Sequence, residues 1–207
     1  HGVRPLERLQ RLGLVNDRLI SVHSVHLNDA DIAMLAAAGA STCHCPCSNL
    51  KLASGFSPIA KLLAAGVNVG IGTDGAASND KLDMLGETRL AAMLAKAVAG
   101  DTTSATVHEM LYAATMGGAK ALHWDAEIGS LEPGKAADVI AVDLSGVEAL
   151  PVQDPAAQLL YAAGREAVTH TWVAGELIAT QKQSRSFRGN ISAESLQSVA
   201  RKWQNML

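Results

Sequence analysis

Hydrophobic residues in the first part of the chain follow two spacings that alternate along the sequence. The three-to-four-residue spacing of a helix with one buried face covers residues 4–12, 28–39 and 57–66. Short apolar runs, which are typical of buried strands, cover residues 18–23, 41–45 and 67–73. Because strands separated by helices form βαβ units, this alternation predicts a parallel sheet. Pro46 is expected to stop the second strand, and Ser57-Pro58 to start the helix that follows it.

Further helices are predicted over residues 82–99, 104–116 and 118–122. On the first of these, large apolar side chains are expected to face the core: Met84, Leu85, Leu90, Met93 and Leu94. Glu87 and Arg89 on the same helix are interpreted as a surface or helix-cap salt bridge.

The pattern changes at Glu127, where a turn-rich stretch leads into shorter strands. One strand is predicted over residues 138–143, and a hairpin over 168–180 with Ala174-Gly175 as its two-residue turn. A final helix is predicted from Ser192, because its apolar residues recur at helical spacing.

Composition and charge narrow the classes of function. The net charge of −3 provides no basic footprint, so we expect no nucleic-acid or anionic-lipid partner. No apolar run reaches the roughly 20 residues that span a bilayer, so no membrane segment is predicted.

The three cysteines lie within five residues, at Cys43, Cys45 and Cys47. This odd, clustered count argues against a disulfide framework and favours a reducing compartment, so a cytoplasmic location is expected. A metal knuckle is the alternative interpretation, but structural zinc sites need a second ligand pair, and the sequence offers none.

Three polar residues follow predicted parallel strands at their carboxyl ends: His23, His44 and Asp74. Parallel α/β folds place their reactive groups at this edge. Glycines 70 and 72 precede Asp74 on the same strand face, and this favours space there for a ligand or metal. An Asp in that position can bind a divalent metal, and a neighbouring His can polarise the water that the metal activates. The alternatives are a turn-forming Asp and histidines that are ordinary polar groups.

Four motifs together resemble the amidohydrolase superfamily. They are Leu-Ile-Ser-Val-His at 19–23, Asn-Leu-Lys-Leu-Ala-Ser-Gly at 49–55, Gly-Thr-Asp-Gly-Ala-Ala-Ser-Asn at 72–79 and Gly-Ser-Leu-Glu-Pro-Gly-Lys at 129–135. Within it, the chain is similar to the 5′-methylthioadenosine/S-adenosylhomocysteine deaminases, close to chlorohydrolases and guanine deaminases.

The resemblance implies an α/β fold: the C-terminal half of a distorted (β/α)8 TIM-type barrel, followed by strands of a small β-sandwich. Residues 1–126 would form the partial metal-dependent hydrolase barrel, residues 127–181 the returning sandwich strands and residues 182–207 a C-terminal helix.

The resemblance also assigns roles to individual residues. Asp74 would bind the metal, contact the substrate and act as general base, and His23 would help to activate the water. His44, Ser48 and Asn49 would line the substrate side of the pocket. Ser78 and Asn79 would stabilise the Asp74 loop.

The implied reaction is hydrolytic deamination of an adenine nucleoside, either S-adenosylhomocysteine or 5′-methylthioadenosine, with release of ammonia. The cofactor would be one divalent metal, with zinc expected and iron or manganese possible alternatives. The family's His-x-His and His-x-x-Glu motifs do not occur in the chain, so they are expected upstream of His1. The N-terminal half of the same polypeptide is therefore an expected partner, beside the nucleoside, and a homo-oligomer is expected from the family.

Two alternatives stay open. The substrate could be another heterocycle, such as guanine or a triazine, because the residues that read the base are expected upstream. The chain could instead belong to a non-catalytic scaffold subunit on a barrel.

Overall fold

The computed structural model describes residues 2–181 and 183–184, which form a mixed α/β structure with one parallel and one antiparallel sheet. The described α-helices, numbered along the chain, are α1 Pro5–Arg11, α2 Asp29–Ala38, α3 Pro46–Lys51, α4 Ile59–Ala64, α5 Met84–Ala99, α6 Val107–Tyr112, α7 Gly118–Ala121 and α8 Pro155–Tyr161. The strands are β1 Ile20–Val22, β2 Ser41–His44, β3 Asn68–Ile71, β4 Val139–Val142, β5 Val168–Val173, β6 Glu176–Thr180 and β7 Gln183–Ser184.

The first three strands pair in parallel in the order β1-β2-β3, which confirms the predicted parallel sheet. The register places Ile20 opposite Ser41, and His44 opposite Ile71. All three strands therefore end at the same edge of the sheet, where their following loops begin.

Local capping explains where several helices begin and end. Asn28 and Asp31 form a reciprocal capping box at the start of α2, and Gly39 ends this helix at a φ of 66°. Pro46 does end the strand, but it also occupies the first turn of α3, a helix that the sequence pattern did not reveal. The start of α4 differs slightly from the prediction, because Pro58 rather than Ser57 is its N-cap.

Helix α5 buries its small side chains most completely, which corrects the predicted burial of Met84 and Met93, whereas Leu85, Leu90 and Leu94 are half-buried. Ala91, Ala92 and Ala95 are the buried apolar residues of α5, whereas Met84 and Met93 are 38% and 48% exposed. An alanine face lets the helix backbone approach its neighbours closely.

Helices α6 and α7 are joined without a break by a π-helical turn at Ala113–Gly117. Here the backbone packs directly on β3: a side chain at Gly117 would place its Cβ only 2.1 Å from the carbonyl oxygen of Val69. The amide of Asn68 adds a hydrogen bond of 2.9 Å to the Gly117 carbonyl.

The antiparallel sheet has the order β4-β5-β6-β7. Its β5–β6 hairpin turns at Ala174-Gly175, as predicted, whereas α8 and β7 were not predicted. The predicted helix from Ser192 lies outside the described residues. Within the described part of the chain, no helix is both long and apolar enough to cross a membrane.

Candidate functional site

His23 and Asp74, which follow their strands, have a backbone conformation that residues other than glycine rarely adopt. His23 follows β1 directly with a φ of 67°, and Asp74 lies three residues after β3 with a φ of 60°. Such conformations cost roughly 1–3 kcal/mol each and concentrate at functional sites, so both residues are candidates on local geometry alone.

The Asp74 carboxylate is held by three hydrogen bonds. Its Oδ2 accepts from the Ser48 hydroxyl at 2.7 Å and from the Ser78 hydroxyl at 2.9 Å, and its Oδ1 accepts from the Gly75 backbone N–H at 2.7 Å. Ser48, followed by Gly75 and Ser78, lowers the pKa of Asp74 from 3.8 to about 2. The nearby His23 ring also lowers this pKa, by less than the hydrogen bonds do, and the carboxylate is ionised at neutral pH.

The His23 imidazole is oriented by Asn49 and faces Asp74. Its Nδ1 lies 2.8 Å from Asn49 Oδ1, an acceptor, so Nδ1 carries a hydrogen. Its Nε2 is directed at Asp74 Oδ2 across 3.8 Å, which is too long for a direct hydrogen bond. The two groups therefore lie close together without a direct hydrogen bond between them.

Consecutive residues of α3 hold this pair, Ser48 on Asp74 and Asn49 on His23. Both α3 side chains are buried, at 0% and 3% exposure, whereas the side chains of His23 and Asp74 are about one-third exposed. The predicted site residues Ser48 and Asn49 thus lie beneath the accessible groups and position them.

His44 does not join this group. It is 3% exposed and lines a small cavity with Pro46, Leu50 and Phe56. Neither of its ring nitrogens has a hydrogen-bond partner among the described residues, and the same holds for the buried amide nitrogen of Asn49 beside it. Burial, and secondarily the His23 ring, lowers the pKa of His44 to about 4, so its imidazole is neutral at pH 7.

The space predicted above the glycines of β3 is filled rather than open. The Sγ atoms of Cys43 and Cys45 lie 4.0 Å apart, and a Cβ at Gly72 would meet Cys43 Sγ at 2.9 Å. Gly70 is similarly covered by the backbone of Gly118. These glycines therefore serve close packing, and the accessible space begins at Asp74.

A cysteine-centred metal site is not formed by the described residues, where no group of three or more His, Cys, Asp or Glu side chains could hold a metal ion. Cys47 is separated from the other two thiols and contacts Glu87; burial, with that contact, raises its pKa to about 12.

Glu87 is a part of the site's surroundings that the sequence pattern missed. Its side chain is 1% exposed rather than at the surface, and it accepts hydrogen bonds from the Cys47 backbone and the Asn79 amide. Arg89, its expected partner, instead donates to the carbonyls of Leu160 and Ala163. The sequence feature that could have indicated its burial is the helical spacing that places Glu87 on one face with the small residues Ala91 and Ala95.

Comparisons with known proteins find similar sequences and structures. The profile described as "Amidohydrolase family" matches residues 2–178. The 5-methylthioadenosine/S-adenosylhomocysteine deaminase of Teredinibacter turnerae is 46% identical over 197 residues, which cover 95% of this chain and 45% of that protein.

Two solved structures resemble the fold. An adenosine deaminase from Xanthomonas campestris with bound zinc has a TM-score of 0.94 and 50% identity, covering 100% of this chain and 46% of that one. The atrazine chlorohydrolase from Arthrobacter aurescens complexed with zinc has a TM-score of 0.85 and 29% identity, covering 99% and 44%. The chain thus spans somewhat less than half the length of the relatives it matches.

Proposed function

Because this chain belongs to the amidohydrolase family, we propose that it forms part of a metal-dependent enzyme that deaminates an adenine nucleoside by hydrolysis. The favoured substrates are S-adenosylhomocysteine and 5′-methylthioadenosine, which the names of relatives such as the Teredinibacter protein support. The observation that carries the proposal is the facing pair of His23 and Asp74 at the strand ends.

The donor set fits a metal in part. A catalytic zinc ion takes three protein ligands and keeps one position open. Asp74 is a suitable carboxylate ligand, because a carboxylate offers about four acceptor positions and only three are used here. The remaining ligands would come from the rest of a longer polypeptide, an expectation supported by the 45% share of the Teredinibacter relative that this chain covers.

When bound, a divalent metal lowers the pKa of a coordinated water and so supplies a nucleophile at neutral pH. Asp74 would accept the proton that the attacking water releases and pass it to the departing amino nitrogen, which becomes ammonia.

His23 would act beside Asp74, on the same side of the reacting carbon. With Nδ1 bonded to Asn49, its Nε2 is aimed into the 3.8 Å gap before Asp74. There it could hydrogen-bond the attacking oxygen and orient it towards the ring carbon that bears the amino group.

The architecture belongs to the same proposal. The three parallel strands would be one part of a TIM-type barrel over residues 1–126, and the antiparallel strands over 127–181 would belong to a small β-sandwich. Zinc is the favoured metal, because two zinc-containing structures resemble this chain. A homo-oligomeric state stays a prediction from the sequence.

The test is a substrate comparison with the full-length protein that carries this chain. Conversion of the adenine ring to hypoxanthine changes the ultraviolet absorbance, and this should occur with both thioether nucleosides and stop when the metal is removed. Absence of any change with either nucleoside would overturn the assignment.

The alternative substrate is another heterocycle, such as guanine or a triazine, and the resemblance to the chlorohydrolase favours it. Guanine and atrazine should therefore be assayed beside the nucleosides, and faster turnover of either would replace the proposed substrate. A scaffold without catalysis would turn over none of the four and bind no metal.

A further inference from the structure

Glu87 is a buried carboxylate that no cation accompanies. It lies on α5 with 1% of its surface exposed, and among the described residues no Lys, Arg or His side chain is within ion-pair distance of it. A buried charge without a counterion is costly unless hydrogen bonds replace its lost water. The position of its two oxygens is therefore informative.

Each oxygen accepts a hydrogen bond from a different loop. Oε2 accepts from the backbone N–H of Cys47 at 3.1 Å, and Oε1 accepts from the amide nitrogen of Asn79 at 2.6 Å. Cys47 belongs to α3 after β2, whereas Asn79 belongs to the loop after β3. One carboxylate thus ties together two separate segments at the edge of the sheet.

The hydrogen bond from Cys47 connects Glu87 to the residues that hold the site. Cys47 lies in the first turn of α3, directly before Ser48 and Asn49. These two residues hydrogen-bond Asp74 and His23, respectively. Fixing the start of α3 therefore fixes the support of both accessible groups.

The hydrogen bond from Asn79 connects Glu87 to the backbone beside Asp74. Asn79 donates to the carbonyl oxygen of Thr73 at 2.9 Å, and its Oδ1 accepts from the N–H of Leu82 at 3.2 Å. Thr73 precedes Asp74, whose backbone has the unusual φ of 60°. Asn79 therefore links Glu87 to the backbone directly before Asp74.

We propose that Glu87 is a positioning residue that sets the distance between α3 and the Asp74 loop, and thereby the geometry of Asp74 and His23. The inference rests on the proposed metal-dependent function. A carboxylate suits this role better than an amide, because both neighbours are donors and an amide would present one of them with a further N–H.

Glu87→Gln in the full-length protein tests the proposal, since it keeps the size of the side chain and removes one acceptor. The matched control is Glu109→Gln, because Glu109 also accepts a backbone N–H, from Thr106 at 2.7 Å, but only closes the capping box of α6. A Gln serves such a capping box as well as a Glu does.

Two readouts separate positioning from general stability. Zinc affinity is measured by competition with a chelator, and kcat and KM are measured per folded, metal-loaded molecule. Changes to groups that orient metal ligands cost about 10–100-fold in metal affinity or activity. We expect a loss in this range in zinc affinity and kcat for Glu87→Gln, with KM within about twofold and the control unchanged.

The proposal is overturned if Glu87→Gln lowers only the melting temperature and keeps the zinc affinity and kcat of the folded protein. If this variant does not fold, Asn79→Ala decides instead. It removes the hydrogen bonds of Asn79 with Glu87, Thr73 and Leu82 and leaves the bond from Cys47 to Glu87 in place. Unchanged zinc affinity and kcat would then overturn the proposal. The zinc measurement needs no substrate. A wild-type protein that binds zinc but deaminates no nucleoside would therefore refute the proposed function while still testing Glu87.

Discussion

The Nε2 atom of His23 lies 3.8 Å from Oδ2 of Asp74, although their strands, β1 and β3, are separated by β2. Helix α3, which follows β2, reaches to both sides and contributes one side chain to each. Asn49 bonds His23, and Ser48 bonds Asp74. Strand β2 therefore supplies no accessible residue to the site. Helix α3, which follows it, positions His23 after β1 and Asp74 after β3.

Removing both hydroxyls from the Asp74 carboxylate should raise its pKa. In the Ser48→Ala, Ser78→Ala double variant we expect the value to move from about 2 towards 3.8, because only the Gly75 hydrogen bond remains of the three. Carbon-13 NMR of the carboxyl group, followed during acid titration of the metal-free protein, measures this value. Ser145→Ala is the control, because the Ser145 side chain hydrogen-bonds Asp143 and not Asp74. An unchanged Asp74 titration in the double variant would contradict the hydrogen-bond account.

The same pKa has a consequence for stability. The folded-state pKa of Asp74 lies below its ordinary value of 3.8, so its hydrogen bonds contribute fully above that pH. The contribution is lost as the pH falls through about 2. The double variant should therefore lose less stability than the wild type between pH 4 and 2, as measured by urea unfolding. Parallel pH profiles for the two proteins would refute this.

Asn49→Ala should weaken catalysis while leaving substrate binding almost unchanged. Without Oδ1 the His23 ring is free to rotate, and its Nε2 no longer points steadily at the gap before Asp74. By analogy with groups that orient metal ligands, we expect kcat to fall about 10–100-fold, with KM within about twofold. Steady-state kinetics of the full-length protein measure both. Asn16→Ala, in an exposed turn, should retain full activity; a loss of the same size in both variants would point to a non-specific effect.

Adjacent glycines in the π-helical turn and α7 should respond in opposite ways to alanine. A Cβ at Gly117 would lie 2.1 Å from the Val69 carbonyl oxygen, so Gly117→Ala forces the turn away from β3. Overpacking of this kind costs about 1–3 kcal/mol or more. At Gly118 no atom lies within 4 Å of the added Cβ, so Gly118→Ala should be neutral or stabilising by up to about 1 kcal/mol. Denaturant unfolding of both variants decides, and equal stability would contradict the close contact.

Acid should destabilise the protein through His44. Its folded-state pKa of about 4 lies below its ordinary value of 6.5, so the unfolded chain binds the proton more readily. Stability is unaffected above pH 6.5 and falls progressively as the pH is lowered towards 4. His44→Gln removes this titration and should flatten the unfolding free energy in that window, whereas His108→Gln, on the surface of α6, should not. A wild-type profile that is already flat there would show that His44 is not buried as a neutral ring.

Beside the parallel sheet, which the alternation of strands and helices indicated, the parts of the fold that were predicted from the sequence are those set by local chemistry. The β5–β6 hairpin turns at Ala174-Gly175, and α2 runs from its Asn28 cap to Gly39, because turn and cap residues act on their neighbours in the chain. Pro46 ends the strand as predicted, but helix α3, which starts at the same residue, was not predicted.

The sequence indicated some members of the candidate site but not its arrangement. Strand-end position indicated His23, His44 and Asp74; the structure brings His23 and Asp74 together and buries His44 apart from them. The positions of Ser48, Asn49 and Glu87 depend on contacts between segments that are 26 to 40 residues apart. The pattern of hydrophobic residues does not predict such contacts. It places a charged residue such as Glu87 at the surface.

The central claim is that Asp74 is a ligand of a catalytic metal, and the most direct measurement compares wild-type and Asp74→Asn full-length protein for zinc content and nucleoside deamination. The amide keeps the size of the carboxylate but removes its charge. We expect about one zinc per wild-type molecule, together with deamination of S-adenosylhomocysteine or 5′-methylthioadenosine, and loss of both zinc and activity in the folded variant. A folded Asp74→Asn protein that retains its zinc and its turnover would contradict the account.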